Sequence, residues 1–544
     1  MAELCLFGSL LVFVVLFWRL GGATFWDPDE AHYAETSREM IQRGDWLAPF
    51  YNETPFFDKP ALFHILQSSA MRVFGLTEFA ARIVPALAAL ALIALTAWAG
   101  VALVSADVGL IAAVLLAMNP GVFGLSRYAI LDTLFTAFLF GGAAMLSVAA
   151  IRDRRQLQWG GYALVAIAVL VKGPLALALC GLTLLVACLW SADARQRLLS
   201  LNWVQGLVLI LAIASPWFIY MYVRFGDAFM QGYVLDENLR LYGSSRFANQ
   251  PGPWFYVQIL VVGLLPWTGL LIGRVVDDVR ASRRGERLDT VEVLLWSWAL
   301  TILVFFSFST FKLDHYIFPV APALCLLCAR AWTDVRADPA SARHAGARKG
   351  LQMIGPLLVL VGAGAAVFLI ARLELPRMAI IIPAAVTAAG VLLIARADIR
   401  RAFPPAMLWI VALAMTVTYG GIVGFVIPAL EERKVIPDVA RWVAGRPEPA
   451  RIATYGLNRW EPAFRFYVGE HTTFLADAAA AEEFFNAPEP FYCTMTQEGL
   501  DELTARGVVV KVVYERDGLW ATSGRVLWRR RLPPAHFVVV TRAS

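Results

Sequence analysis

The sequence predicts a polytopic α-helical membrane protein with about 13 transmembrane helices, juxtamembrane helices in its first loop and a C-terminal soluble α/β domain. Three observations carry that expectation. Of 544 residues 59% are hydrophobic and only 16% are charged, a balance foreign to soluble chains. Apolar runs of span length recur from the N-terminus to about residue 430. Beyond Pro428 the runs shorten and alternate with polar helical patterns, which divides the chain into a membrane part, 1–430, and a tail, 431–544.

The segment Leu4 to Leu20 lacks a basic start and a small-residue cleavage site, so it reads as a first span and not as a leader. Further spans are expected near 82–104, 106–119, 129–150, 158–172, 174–191, 203–223, 254–274, 289–309, 315–332, 351–371, 378–396 and 404–428. Arginines fall in alternate loops: Arg152 to Arg155, Arg195 and Arg197, Arg274 to Arg287, Arg330 to Lys349, and Arg396 to Arg401. The positive-inside rule makes these loops cytoplasmic and the other set periplasmic. It also accounts for the net charge of +5, which therefore implies no nucleic-acid partner. Cys5, Cys180, Cys188, Cys325 and Cys328 lie in apolar runs and Cys493 in the tail, with no disulfide framework. Cys325-Leu-Leu-Cys328 has metal-like spacing but no nearby His or second pair.

The first periplasmic loop, 22–81, is a dense polar island in this apolar chain, and the chemistry is expected there. Asp29 to Arg43 reads as a helix, preceded by Pro28, ended by Gly44, with Asp29 and Glu30 in its first turn. Asp58-Lys59 stands before Pro60, a suitable first residue for a helix running to Gly75, and a lysine at such a helix start favours an anion. Aromatic residues between these groups, Trp26, Trp46, Phe50, Tyr51, Phe56 and Phe57, suit the headgroup layer.

The remaining polar residues that do not fit loops or spans gather on the same face: Arg127 and Asp132, Lys172, Asp236, Glu237 and Arg240, and Lys312, Asp314, His315 and Tyr316. An ionised Asp132 just inside a span needs a partner. Lys59, Lys172 and Lys312 suit neutralising a phosphate at headgroup level while its lipid tail lies between helices. Asp29 or Asp132 suits taking a proton from an attacking hydroxyl or stabilising an oxocarbenium-like sugar. Phosphate would then be the leaving group, and the chemistry reads as lipid-linked group transfer. A lipid-linked sugar flippase or transporter is the alternative, but it calls for mid-membrane polar residues and an internal repeat. The tail is expected to hold helices at Ile436–Val443, Ala478–Phe485 and Glu498–Arg506, and strands at Ile452–Tyr455, Phe491–Met495, Val508–Tyr514 and Phe537–Thr541. It has no phosphate loop or nucleophile motif, and is expected to cover the site or contact a partner.

The residues Asp29-Glu30-Ala31-His32-Tyr33-Ala34-Glu35, Arg38-Glu39-Met40, Gly44-Asp45-Trp46 and Phe57-Asp58-Lys59-Pro60 resemble the first periplasmic loop of the lipid A aminoarabinose transferases. Those enzymes belong to the protein-O-mannosyltransferase-like family of integral-membrane glycosyltransferases with the C-type fold. Arg127–Thr133, Lys172-Gly173-Pro174, Glu237–Arg240 and Ser309–Pro319 resemble that family's later motifs in the same order. The resemblance implies an inverting transferase of the bacterial inner membrane. It would move a sugar, such as an amino sugar, from a polyprenyl-phosphate donor to lipid A or another glycolipid or glycan, with protein O-glycosylation as a further variant. It implies Asp29 and Asp132 as catalytic, and Lys59, Lys172, Tyr316 and His32 as holding the donor phosphate. Glu30, Asp58, Arg127, Glu237, Arg240, Lys312 and His315 are expected in support. The sequence departs from the aminoarabinose branch at His32, where Arg is usual, Asp58, where Glu is usual, and Asn238, where His occurs. Asp314-His315 departs from a Pro and a variable residue. No cofactor is required by this reading, and a divalent metal near Asp58 stays open.

Overall fold

The computed structural model describes residues 2–243, 251–372, 376–396, 405–446, 450–457, 462–520 and 535–543. Arg400 and Arg401, and residues 244–250 of the loop expected after Arg224, lie outside them.

Helix α1 (Ala2–Leu16) leads into the first loop, which folds as α2 (Asp29–Arg43), a small hairpin of β1 (Phe50–Tyr51) and β2 (Thr54–Pro55), and α3 (Leu62–Phe74). The bounds of α2 follow its punctuation: Pro28 stands at its N-cap, and Gly44 closes it in the left-handed region at φ 67°, donating its N–H to Ile41. The helix after Lys59 begins at Leu62, with Pro60 and Ala61 forming the turn into it. Then come α4 (Glu78–Leu103), α5 (Ala106–Ala117), α6 (Pro120–Ser126), α7 (Asp132–Ile151), α8 (Leu157–Lys172) and α9 (Leu175–Trp190).

Among the described residues eight helices are long and apolar enough to cross a membrane, and up to ten if each of two bent pairs counts as one span. The helices α5 and α6 meet at 59°, and Phe255–Gly263 meets Thr268–Arg283 at 117°. The helices α8 and α9 are apolar but shorter. The expected count of 13 is not confirmed, because the apolar runs expected near 3–21, 158–172 and 174–191 form helices of only 15, 16 and 16 residues, and two others are bent pairs. A second difference concerns the stretch after Arg224, expected as a loop. It is helical, with wide π-type turns over Met230–Arg240.

The arginine-rich segments meet at one end of the bundle. Arg152 donates to Ala102 and Leu103, Arg155 to Ser200 at 2.8 Å, and Arg336 and Arg330 pair with Asp107 and Asp289. The first loop lies at the opposite end.

The tail forms a five-stranded sheet in the order β4-β3-β5-β7-β6, from β3 (Arg451–Tyr455), β4 (Thr473–Leu475), β5 (Phe491–Thr496), β6 (Val510–Gly518) and β7 (Ala535–Arg542). The strand β3 runs parallel to β4 and β5, through crossovers that carry the helices Pro462–Val468 and Ala478–Asn486. The strand β7 is antiparallel to β5 and β6. The four expected strands form; β4, three residues long, is too short to show alternation.

This layer is joined to the first loop by a shared core. Phe25, Ala31, Ala34 and Met71 belong to the same buried apolar cluster as Val435, Val439, Phe464 and Phe537. Polar contacts reinforce it. Asp27 accepts from the Ala463 N–H at 2.9 Å, and the Tyr467 hydroxyl donates to Glu78 at 2.8 Å while accepting from the Phe25 N–H. Glu35, fully buried, takes Arg38 through two bonds of 2.7 Å and Arg465 at 2.8 Å.

Candidate active site

The centre of the site is an ion pair that helix geometry assembles. The helices α7 and α8 are neighbours joined by a short connection, so the start of one and the end of the other share an end of the bundle. Asp132 is the first residue of α7 and Lys172 the last of α8, each at the helix terminus whose dipole favours its charge. Their side chains meet at 2.5 Å, both buried. Gly173 ends α8 at φ 86°, and any side chain there would collide with the Tyr233 hydroxyl, which the missing Cβ admits.

His315 completes the centre, with Nε2 3.7 Å from Asp132 and Nδ1 3.4 Å from Asp314. The Lys172 ammonium lies 4.7 Å from the centre of the Tyr316 ring. From the first loop, Lys59 reaches Glu237 at 3.6 Å and donates to the Asp58 carbonyl at 2.9 Å. Lys59 therefore reaches the site already paired, a partner that sequence spacing could not reveal.

Asp29 faces this group from the first turn of α2. Burial raises its carboxyl pKa above the ordinary value; His315 opposes that rise, Asp132 and Asp314 add to it, and Lys59 opposes it. Among the described residues the Asp29 carboxylate accepts no hydrogen bond. A half-buried carboxylate held this way is a stronger base than a fully exposed one.

The other expected residues divide. His32 packs edge-on against Tyr51 and Phe56, with ring centres 4.2 and 4.7 Å away. Burial, then His64 and Lys59, lower its pKa to about 3, so it is neutral at pH 7 and brings no cation to a phosphate. Glu30 turns from the site: Arg82 clamps it at 2.6 and 2.9 Å, and it accepts from the Trp26 and Ala129 N–H groups. Asp58 stays near the site, adding to the field that raises the Tyr33 pKa. Arg127 points to the end of α1, donating to the Val15 and Trp18 carbonyls. Arg240 is exposed and pairs with Asp236 at 2.6 Å. Lys312 is buried and donates to the Ser309 carbonyl. The structure thus brings together Asp29, Lys59, Asp132, Lys172, Glu237, His315 and Tyr316, and turns Glu30, Arg127 and Arg240 elsewhere.

Two site residues escaped the sequence reading. Tyr33 lies one helical turn after Asp29 on the same face, a spacing that would have found it. Its phenol pKa is raised by burial and then by Asp132, Tyr316, Asp29 and Asp58. Tyr256 is buried near Phe306, whose ring in turn meets Tyr316, and no sequence signal marks it. Among the described residues no group of three His, Cys, Asp or Glu side chains is placed to hold a metal ion.

Residues 7–230 match the family model described as dolichyl-phosphate-mannose-protein mannosyltransferase. Relatives include the undecaprenyl phosphate-alpha-4-amino-4-deoxy-L-arabinose arabinosyl transferase of Pectobacterium atrosepticum, 30% identical over 319 residues, covering 58% of this chain and 56% of the relative. The protein of the same name in Yersinia pestis is 30% identical over 335 residues, covering 60% and 59%. The chain thus spans less than two thirds of the curated relatives it matches. In three dimensions it is similar to ArnT from Cupriavidus metallidurans bound to undecaprenyl phosphate, with TM-score 0.77 and 24% identity over 100% of this chain and 98% of the other. The archaeal oligosaccharyltransferase AglB from Archaeoglobus fulgidus shares the fold more distantly, with TM-score 0.51 and 12% identity over 91% and 69%. Residues 7–230 therefore match the dolichyl-phosphate-mannose-protein mannosyltransferase family model, and the whole chain shares the fold of ArnT from Cupriavidus metallidurans.

Proposed function

We propose that the protein is an inverting glycosyltransferase that moves a sugar from a polyprenyl-phosphate donor to lipid A or a similar glycolipid acceptor. The carrying observation is convergence: Asp29, Lys59, Asp132, Lys172, Glu237 and His315 come from separate stretches of the chain and meet at one end of the bundle. The names of the curated relatives, undecaprenyl-phosphate aminoarabinose transferases, support the donor class and make an amino sugar the first substrate to try.

In this reading the donor phosphate settles against Lys172 and Lys59, with Tyr316 beside Lys172. The acceptor oxygen attacks the anomeric carbon from the face opposite the phosphate. The bond from that carbon to the phosphate oxygen breaks, and its electron pair leaves with the polyprenyl phosphate. If the acceptor is a hydroxyl, its proton passes to Asp29; an acceptor phosphate oxygen is already a nucleophile and needs no base. Growing charge on the leaving phosphate meets Lys172 more strongly than in the ground state, which favours departure. No step is routed through a metal.

The polyprenyl tail is assigned to a groove of about 1370 Å³ lined by Val257, Leu260, Leu303, Val320 and Leu324. Its lining starts beside Tyr256 and runs towards the arginine-rich end. With the positive-inside rule, the site and the tail domain, 431–544, face the periplasm of the bacterial inner membrane, and 1–430 is the transferase domain. The test is reconstitution with a labelled polyprenyl-phosphate sugar and lipid A. Label appearing on the acceptor supports the transferase; label crossing vesicles without transfer supports the transporter and overturns it.

A further inference from the structure

A separate cavity, apolar over most of its lining but bordered by arginines, lies at the same end of the bundle, on the other side of Trp26 and Tyr128 from Asp29. It measures about 180 Å³ and sits between the end of α1, the α6–α7 turn and the helix that precedes the tail, with Val423 and Ile427 on its apolar wall. Three arginines line it: Arg19, Arg82 and Arg127. Only Arg82 has a carboxylate, the buried Glu30. Arg19 is exposed and, among the described residues, its guanidinium makes no ion pair or hydrogen bond. Arg127 is half-buried and holds only the carbonyls of Val15 and Trp18, at 3.4 and 2.8 Å. Those carbonyls offer the partial negative charge of a helix end and not a full counter-charge. The other acid nearby, Glu431, is engaged by Lys434 at 3.1 Å.

A guanidinium withdrawn from water without an anion is costly, and more so beside lipid. This one sits at the boundary where spans end, next to a tryptophan whose ring holds Lys434 at 4.3 Å. Anionic headgroups occupy that depth, and basic pockets between spans recognise them. The cavity is of headgroup size and not of acyl-chain size, and its apolar wall runs on along the helix Ile427–Glu431 and the turn before it.

From this we infer that the cavity of Arg19 and Arg127 binds the phosphate of an anionic lipid headgroup, at a site separate from the donor phosphate. Phosphate oxygens bridge the two guanidinium groups, Arg127 fixed by α1 and Arg19 closing from the rim. Acyl chains follow the Val423 and Ile427 wall into the bilayer. The site stands independently of the transferase reading, since none of its cations touches Asp132 or Lys172.

Native mass spectrometry of the full chain in detergent tests it, with phosphatidylglycerol and phosphatidylcholine as probes at equal concentration. Phosphatidylglycerol is expected to be retained at least about fivefold more, and to lose that advantage in Arg19→Glu and in Arg127→Gln. Arg19 is exposed, so Arg19→Glu keeps the fold and decides the matter if Arg127→Gln does not express. Arg155→Ala, at an exposed arginine of the opposite end of the bundle, should leave retention unchanged. Equal retention of the two lipids, indifference to Arg19→Glu, or an equal loss in Arg155→Ala would each overturn the assignment. Lipid A added as competitor separates the sources: displacement identifies a glycolipid phosphate, and its failure a phospholipid.

Discussion

The carboxylates of helix α2 hold their charges in opposite ways. Glu30 and Glu35 are fully buried and fully answered, by Arg82 and by Arg38 with Arg465. Asp29 is half-buried among mixed charges, its carboxylate accepts no hydrogen bond among the described residues, and its pKa is raised, first by burial. Successive helical residues point about 100° apart, which sends the adjacent carboxylates of Asp29 and Glu30 into different environments. The two answered carboxylates clamp the loop to the bundle and to the tail domain. The unanswered one is left without a fixed partner, at a cost in stability.

The difference can be broken first from the clamp side. Replacing Glu30 with Gln leaves Arg82 buried without its counter-charge, and such losses cost about 3–5 kcal/mol. Thermal unfolding of the detergent-solubilised protein should show a clear drop in midpoint. A smaller drop is expected for Arg465→Met, because Arg38 still holds Glu35. In that variant the tail should become sensitive to limited proteolysis while donor affinity stays near wild type.

On the site side, Lys59→Met should weaken binding of polyprenyl phosphate by about tenfold, on the scale of a charged hydrogen bond, with little change in the unfolding midpoint. Smallest of all is the exposed pair Asp236–Arg240. Asp236→Asn should change stability by less than about 0.5 kcal/mol and leave transfer unaffected. A large effect there would move the boundary of the site outwards.

How much of this was legible follows the kind of signal involved. The bounds of α2 were readable because Pro28 and Gly44 punctuate it, and the tail strands because their apolar residues stand apart from helical patterns. Asp132 and Lys172 were readable as charges out of place at span ends, and the structure pairs them. Partner choice was not readable. Nothing in the spacing says that Lys59 answers Glu237, that Glu30 turns to Arg82, or that Arg240 faces outwards, since those outcomes depend on how distant helices rotate. The neutrality of His32 likewise depends on two aromatic rings and burial, which only the fold supplies.

Asp29→Asn tests the central claim most directly, with transfer, donor binding and stability read on the same preparation. With a hydroxyl acceptor, transfer should fall by at least about a hundredfold while polyprenyl phosphate still binds. A raised carboxyl pKa means the folded state is favoured while the group is protonated, and that advantage is lost as pH rises through the native value. The variant, always uncharged, should therefore unfold at pH 7 no lower than wild type, and any gain should shrink as the pH is lowered towards the ordinary carboxylate range. Wild-type transfer with hydroxyl acceptors, or a midpoint that falls as it does for Glu30→Gln, would contradict the account and place Asp29 with the clamp.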